Sequence, residues 1–420
     1  MEIQKTKLAI IGTVGVPAKY GGFETLAHHL VLKLNQEYDI TVFASKNAYP
    51  ENERVPEWNN AKIKYLPFNA NGIQSIIYDL WSIIYALIYC DVLLILGVSG
   101  CLCLPFIKLF SKKKIIVNID GLEWRRPKWN WLGKKFLRFS EGIACKFADT
   151  IVTDNQMLKE YVKIQYSRES TLIEYGADHC TPVAIEDQYL YRFPFLKDKY
   201  AFKVARIEPE NHIKTILEAF AYENSQQFVI VGNWDNSAYG RRLKNHYSQF
   251  SNLHLYDPIY DATVLNMLRS NAQYYVHGHS AGGTNPSLVE AMYLGLPILS
   301  FDVIYNRATT NNQAVYFNNV NELRQMLKQI EHIPLFAIGQ NLRAFALKKY
   351  LWADISQRYS QLFDQVKVKD ILLPEYRRLT INPAAIHSPK ISKKNRTSRK
   401  AVPVVLNAPS TPTPLVSTNN

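Results

Sequence analysis

Several classes of protein are excluded by what the sequence does not contain. The five cysteines, Cys90, Cys101, Cys103, Cys145 and Cys180, are odd in number and lack metal-ligand spacing. They predict no disulfide framework, but reduced and buried thiols in a cytosolic compartment. No apolar run of about 18 uncharged residues survives with helical continuity. The richest stretch, Ile76 to Phe110, is broken by Asp79, Asp91, Gly97, Gly100 and Pro105. It reads as a buried helix, a core strand at Val92–Leu96 and a further helix, with a re-entrant membrane segment as the alternative. Met1 to Thr6 leads straight into an expected strand, Leu8–Ile11, which predicts no secretory leader. The dinucleotide fingerprint is missing too: Gly12 and Gly15 are spaced too widely, and Ala44-Ser45-Lys46 puts no acid at the end of the second strand. Nor does the first loop carry the Lys-Ser/Thr pair of a nucleotide-triphosphate loop.

Beyond Glu375 there is no acidic residue at all, while Arg377, Arg378, Lys390, Lys393, Lys394, Arg396, Arg399 and Lys400 carry eight of the net +13 charges, leaving +5 for the rest. The segment 376–420 is rich in Pro, Ser, Thr and Asn and is expected to be a disordered basic tail suited to an anionic membrane surface. Without a recognition module, the charge does not point to nucleic acid.

What is present is an α/β pattern. Short apolar strands alternate with helical periodicity: Leu8–Ile11, Ile40–Ala44, Ile63–Leu66, Val92–Leu96, Ile115–Ile119 and Thr150–Thr153, then Tyr200–Val204, Phe228–Val231, His254–Tyr256, Tyr274–Val276 and Ile298–Ser300. With 420 residues, this predicts two Rossmann-like domains, 1–180 and 181–345, a returning helix at 346–370, and the tail. The joint is expected near Ala177 to Asp187.

Two loops carry the chemistry. His277 to Pro297 reads as a strand end, a glycine loop with Gly282 and Gly283, then Thr284, an N-cap at Asn285 and proline at the first helical position. A helix starting there turns free N–H groups and its positive dipole end toward the loop, making an anion site. Glu290, just over one turn in, is placed to accept hydrogen bonds from sugar hydroxyls. The first loop, Gly12 to Thr25 with Gly15, Gly21 and Gly22, brings backbone to the crevice beyond the first strand.

Taken with Arg206-Ile207-Glu208-Pro209-Glu210, these loops resemble the retaining family-four glycosyltransferases. The opening Ile11 to Thr25, with Asn118-Ile119-Asp120-Gly121-Leu122-Glu123-Trp124 and Gly232-Asn233-Trp234, is closer still to a subgroup with a rhamnosyltransferase-type N-terminal domain. The resemblance covers roughly Leu8 to Gln365. It implies a GT-B fold, two Rossmann-like domains facing a central cleft, and transfer of rhamnose from dTDP-rhamnose to a lipid-linked or growing saccharide acceptor. A non-catalytic nucleotide-sugar-binding or scaffold protein of the same fold is the alternative. No Asp-x-Asp pair occurs, so neither a metal nor another cofactor is expected. The resemblance makes Arg206 the diphosphate clamp, with Asn211, Gly282, Gly283, Thr284, Asn285 and Glu290 binding the donor. Asp120 would position a sugar or acceptor hydroxyl.

Two positions depart from the family pattern. Asn211 stands where a lysine is usual, and Gly282 where a glutamate is usual. His277 and His279, two apart, are expected in the donor loop rather than on a metal. Trp124 to Phe139 interleaves aromatic and basic side chains, and Trp124, Lys128, Trp129, Trp131, Lys134 and Lys135 are expected to face the acceptor or a lipid headgroup boundary. The expected location is cytoplasmic, peripheral on the inner face of the membrane.

Overall fold

The computed structural model describes residues 5–19, 21–119 and 121–364. Its apolar strands build two sheets. The first contains β1 (Thr6–Ile11), β2 (Tyr38–Ser45), β3 (Glu57–Trp58), β4 (Ala61–Leu66), β5 (Val92–Leu96), β6 (Lys114–Ile119), β7 (Thr150–Thr153) and β8 (Thr171–Leu172), in the order β3-β4-β2-β1-β5-β6-β7-β8. The second contains β9 (Tyr200–Val204), β10 (Gln227–Val231), β11 (Leu253–Tyr256), β12 (Tyr274–His277), β13 (Ile298–Phe301) and β14 (Val315–Phe317), in the order β11-β10-β9-β12-β13-β14. Apart from the β3–β4 pair, every pairing is parallel. Helices therefore cover both faces, and strands such as Val-Leu-Leu-Ile-Leu at β5 are apolar throughout. This is an α/β fold of GT-B type with two Rossmann-like domains.

The helices of the first domain are α1 (Gly22–Leu34), α2 (Ser75–Tyr89), α3 (Leu104–Phe110), α4 (Trp131–Phe147) and α5 (Gln156–Tyr166). Then follow α6 (Asp187–Arg192), α7 (Ile213–Tyr222), α8 (Ala238–Tyr247), α9 (Ala262–Ser270), α10 (Pro286–Tyr293), α11 (Ile304–Thr309), α12 (Val320–Lys328), α13 (Leu335–Lys349) and α14 (Trp352–Asp364). In each sheet the strand order reverses beside the first strand, at β1 and at β9. The crevice at the carboxyl ends of those strands is where such sheets bind ligands.

The last helix crosses back to the first sheet. Tyr359 accepts a hydrogen bond from Asn118 Nδ2 at 2.7 Å, and Tyr38 donates to Asp364 at 2.7 Å. Arg358 and Lys349 pair with the buried carboxylate of Glu174 at 3.2 and 3.0 Å. The tail, including the basic cluster read from the sequence, lies outside the described residues.

One expectation needs correcting. The helix read as buried, α2, buries only one stripe: Ser75, Tyr78, Asp79, Ser82, Ile83 and Ala86. Its other stripe is solvent-facing, with Trp81 56% and Ile88 66% exposed. An apolar composition all round is the mark of a buried helix, and it concealed a surface.

Candidate active site

Glycine is demanded at the mouth of the first crevice. At Gly12, φ is +87° and a Cβ would lie 2.1 Å from the Leu96 carbonyl oxygen of the neighbouring strand. Gly21 has φ +124°, and a Cβ there would lie 1.9 Å from Glu24 Oε2. Glu24 is folded back under this loop, accepting from Val14 N at 2.7 Å and Thr13 Oγ1 at 3.3 Å. Burial raises the Glu24 carboxyl pKa, while these bonds and the charge of Arg206 act in the opposite sense. Gly15 lies in the same loop with φ +138°.

From Gly22 the chain enters α1, whose first turn meets the second domain. A Cβ on Gly22 would stand 3.5 Å from Pro286 Cγ. The amino ends of α1 and α10 therefore approach each other across the cleft. At α10 the Asn285 side chain caps the helix, accepting from Ser287 N at 3.0 Å, and Pro286 takes the first helical position.

The loop before α10 is seated against the first domain. A Cβ on Gly282 would lie 3.3 Å from Leu122 N, and one on Gly283 would lie 3.0 Å from an Asp154 carboxylate oxygen. Thr284 donates to the Asp154 carbonyl, and Asn155 Nδ2 donates to Thr284 Oγ1 at 3.3 Å and to the Tyr305 carbonyl at 3.2 Å. The Thr284 hydroxyl is thus committed to the domain contact. Asp120 lies outside the described residues; its neighbour Gly121 faces Gly282.

Arg206 follows β9 and is exposed in the cleft, and its charge is felt at both Glu24 and His279. Asn211 is buried, with Nδ2 donating to the Arg206 carbonyl at 2.8 Å and Oδ1 2.8 Å from His279 Nδ1. Burial, then the charges of Arg126 and Arg206, push His279 down to about 3, so the ring is neutral. His277 is fully buried and held neutral by burial. Beneath this loop Lys203 is buried on β9, 3.4 Å from the Val276 carbonyl, and burial lowers it to about 7.

Comparison with known proteins fits this geometry. Residues 192–337 match the family model for glycosyl transferases group 1. The whole second sheet lies within that match. Residues 5–178 match a domain of unknown function, DUF1972. No curated relative matches the chain. Among solved structures, sucrose-phosphate synthase from Thermosynechococcus elongatus is similar at 17% identity and TM-score 0.74, covering 86% of this chain and 98% of its own. Anabaena HepE in complex with UDP-glucose is similar at 12% identity and TM-score 0.65, covering 84% and 98%. The catalytic domain of starch synthase IV from Arabidopsis thaliana, bound to ADP and acarbose, is similar at 11% identity and TM-score 0.66, covering 86% and 98%. The structural likenesses establish the fold, and the group 1 match supports sugar transfer.

Within the matched residues, Glu290 is held from both sides. Arg269 Nη2 lies 2.6 Å from one carboxylate oxygen and His179 Nε2 3.3 Å from the other. Burial raises the carboxyl pKa, but Arg269 and His179 outweigh it and leave it below the usual range. His179 Nδ1 accepts from the Trp352 indole N–H at 3.0 Å, so the ring hydrogen sits on Nε2, toward Glu290. His179, Cys180 and Glu290 have ligand atoms within 4.8 Å of one another. Arg269 already supplies the cation there, donating to Cys180 Sγ at 3.2 Å as well as pairing with Glu290.

The Trp124 to Phe139 segment divides in two. Trp124 packs with Leu122, Leu158 and Tyr305, and Trp129 donates its indole N–H to Glu123 at 3.0 Å. Glu123 pairs with Arg126 at 2.8 Å and Lys128 at 2.7 Å. The charges of Arg126 and Lys128 reach Glu208 of the second domain, so this part borders the cleft. Trp131 is exposed with Lys135 stacked on it at 3.9 Å, and Lys134 is half-buried on the same helix.

Sequence reading overlooked two cleft residues. Glu24 was visible three residues beyond Gly21, but nothing in a helix's first turn distinguishes a buried loop anchor from a helix-dipole acid. Arg126 was read as part of a headgroup-facing run. The signal was Glu123 at i−3, which holds it inward.

Proposed function

We propose that the chain transfers one sugar from a nucleotide donor to a lipid-linked or growing saccharide acceptor in cell-surface polysaccharide synthesis. Rhamnose from dTDP-rhamnose is the donor group we assign, with retention of configuration and without a metal ion. The observation that carries this reading is the meeting of Arg206, Arg126 and the amino end of α10 around the His277–Asn285 loop. Fixed positive groups stabilise a departing diphosphate in the transition state more than in the ground state, which is what accelerates transfer. The nucleotides in HepE and starch synthase IV support a nucleotide-sugar donor without selecting the base. The rhamnose assignment rests on the subgroup resemblance of the first domain. The enzyme would work in the cytoplasm, on the inner face of the membrane.

A second reading, a non-catalytic nucleotide-sugar-binding protein, draws support from Glu290 and Asn211, whose side chains are engaged within the protein. Thermal-shift titration with dTDP, UDP, GDP and their sugars separates the possibilities, since a ligand stabilises by mass action. Selective stabilisation by dTDP-rhamnose, followed by transfer to a lipid-linked acceptor, supports the assignment. Selectivity for UDP or GDP keeps sugar transfer and removes rhamnose. Stabilisation without turnover supports the binding protein.

A further inference from the structure

We infer that the outward faces of α2, α3 and α4 form one surface that docks on an anionic lipid bilayer, with α2 lying in the headgroup boundary. The inference does not depend on which sugar is transferred.

The three helices share one sheet face. Ile83 and Ala86 of α2, Leu104 and Ile107 of α3, and Leu137 and Ala144 of α4 belong to a single core cluster. Their opposite sides point away from the sheet together. On α2 the outward residues Ile77, Leu80, Trp81, Ile84 and Ile88 recur at helical spacing, and none is charged. On α3, Phe106, Leu109 and Phe110 are exposed, the last by 88%. On α4, Trp131, Leu132 and Phe139 are exposed. Soluble monomers seldom expose apolar side chains contiguously on this scale.

By length and composition, Gly72–Tyr89 would suffice to cross a membrane. Its inner stripe argues for lying flat instead. Tyr78 donates to the Thr13 carbonyl of the cleft loop at 2.8 Å, and Asp79 is buried with Ser99 as its partner. Spanning would carry Asp79 into hydrocarbon and strip Tyr78 from the crevice. A helix with one face packed on protein and an uncharged apolar face outward settles at the interface, where Trp81, Tyr89 and Trp131 can keep their polar edges wet.

Charge selects the occupant. No basic residue lies between Gly72 and Gly100, whereas Cys101 to Phe147 holds eleven basic residues against three acidic ones. Lys112, Lys135 and Arg138 are exposed on that second stretch. An apolar patch bordered by cations fits an anionic bilayer. A second copy of the chain would set the same cations against each other across an isologous contact.

Co-sedimentation of the full chain with phosphatidylcholine vesicles, with and without phosphatidylglycerol, tests this at salt high enough to screen binding that is purely electrostatic. The wild type is expected to bind the phosphatidylglycerol vesicles. Ile77→Glu with Ile84→Glu should weaken binding at least tenfold while leaving the far-ultraviolet spectrum and nucleotide thermal shift unchanged. Trp81→Phe should remove part of the tryptophan quenching by brominated lipid tails. The inference is overturned if the double variant binds like wild type, if the wild type does not bind, or if the face proves to hold a dimer that the double variant dissolves. A failed nucleotide shift with intact vesicle binding would count against sugar transfer alone.

Discussion

His279 donates its Nδ1 hydrogen to Asn211 Oδ1 across 2.8 Å, because Asn211 has committed its own Nδ2 to the Arg206 carbonyl. One buried amide thus ties the His277–Asn285 loop to the backbone of Arg206. Asn211→Ala leaves the buried His279 ring nitrogen without its partner, a cost of about 1–3 kcal/mol, while the Arg206 carbonyl keeps the Glu208 N–H at 2.9 Å. The expected result is a melting temperature lower by several degrees and weaker nucleotide binding, read by thermal shift. Unchanged values for both would mean that Asn211 does not couple the two.

Arg206→Ala should lower kcat on the order of 100-fold at saturating donor, as loss of one fixed transition-state donor does. Stability should scarcely change, since the side chain is exposed. Arg126→Ala should cost both activity and stability, because Arg126 is buried beside Glu123. Wild-type transfer by Arg206→Ala would refute the clamp.

Gly21→Ala drives a Cβ into the Glu24 carboxylate at a backbone angle unsuited to L residues. The expected loss is about 1–3 kcal/mol of stability, seen in urea unfolding. Glu24→Gln keeps the shape and one acceptor, so it should be milder than Glu24→Ala. Equal effects would place the role of Glu24 in its charge rather than in holding the loop.

Lys203 sets a pH test. Its pKa is about 7 when folded, against 10.5 for the ordinary side chain. Between those values the unfolded chain binds more protons, so this residue makes stability rise with pH from about 7 to 10.5, by at most about 1.4 kcal/mol per pH unit. Below pH 7 its penalty is constant. Lys203→Met should therefore stabilise most at neutral pH, with the advantage shrinking by pH 10. An advantage independent of pH would show that Lys203 is not neutralised by folding.

Much of the architecture was legible because fully buried parallel strands are short, uniformly apolar and bounded by glycine or polar residues. All eleven expected strands are present, and the edge strands β3, β8 and β14 were missed because two or three residues cannot display a period. The Asn285–Pro286 helix start was readable, since capping is a local property. Partners across the cleft were not: Asn155 bonding Thr284, and His179 meeting Glu290, join residues more than a hundred positions apart. The exposure of α2 was hidden for a related reason. An apolar side chain records an aversion to water, not what replaces the water.

Trp352 opens α14 stacked on His29 of α1 at 4.2 Å, with its backbone N–H on Asp178 and its indole on His179. The polypeptide therefore crosses between the domains twice, once through the Ala177–Asp187 stretch and once at Tyr350–Trp352, and the two crossings touch. A doubled crossing resists twisting far better than a single thread, so opening of the cleft should be a bend about one line, not a free swivel. It also means that the first domain is not a continuous piece of chain. A fragment ending at residue 178 would lack Trp352, Tyr359 and Phe363 from its core, and proteolysis at the second crossing would unseat α14 from the domain it completes.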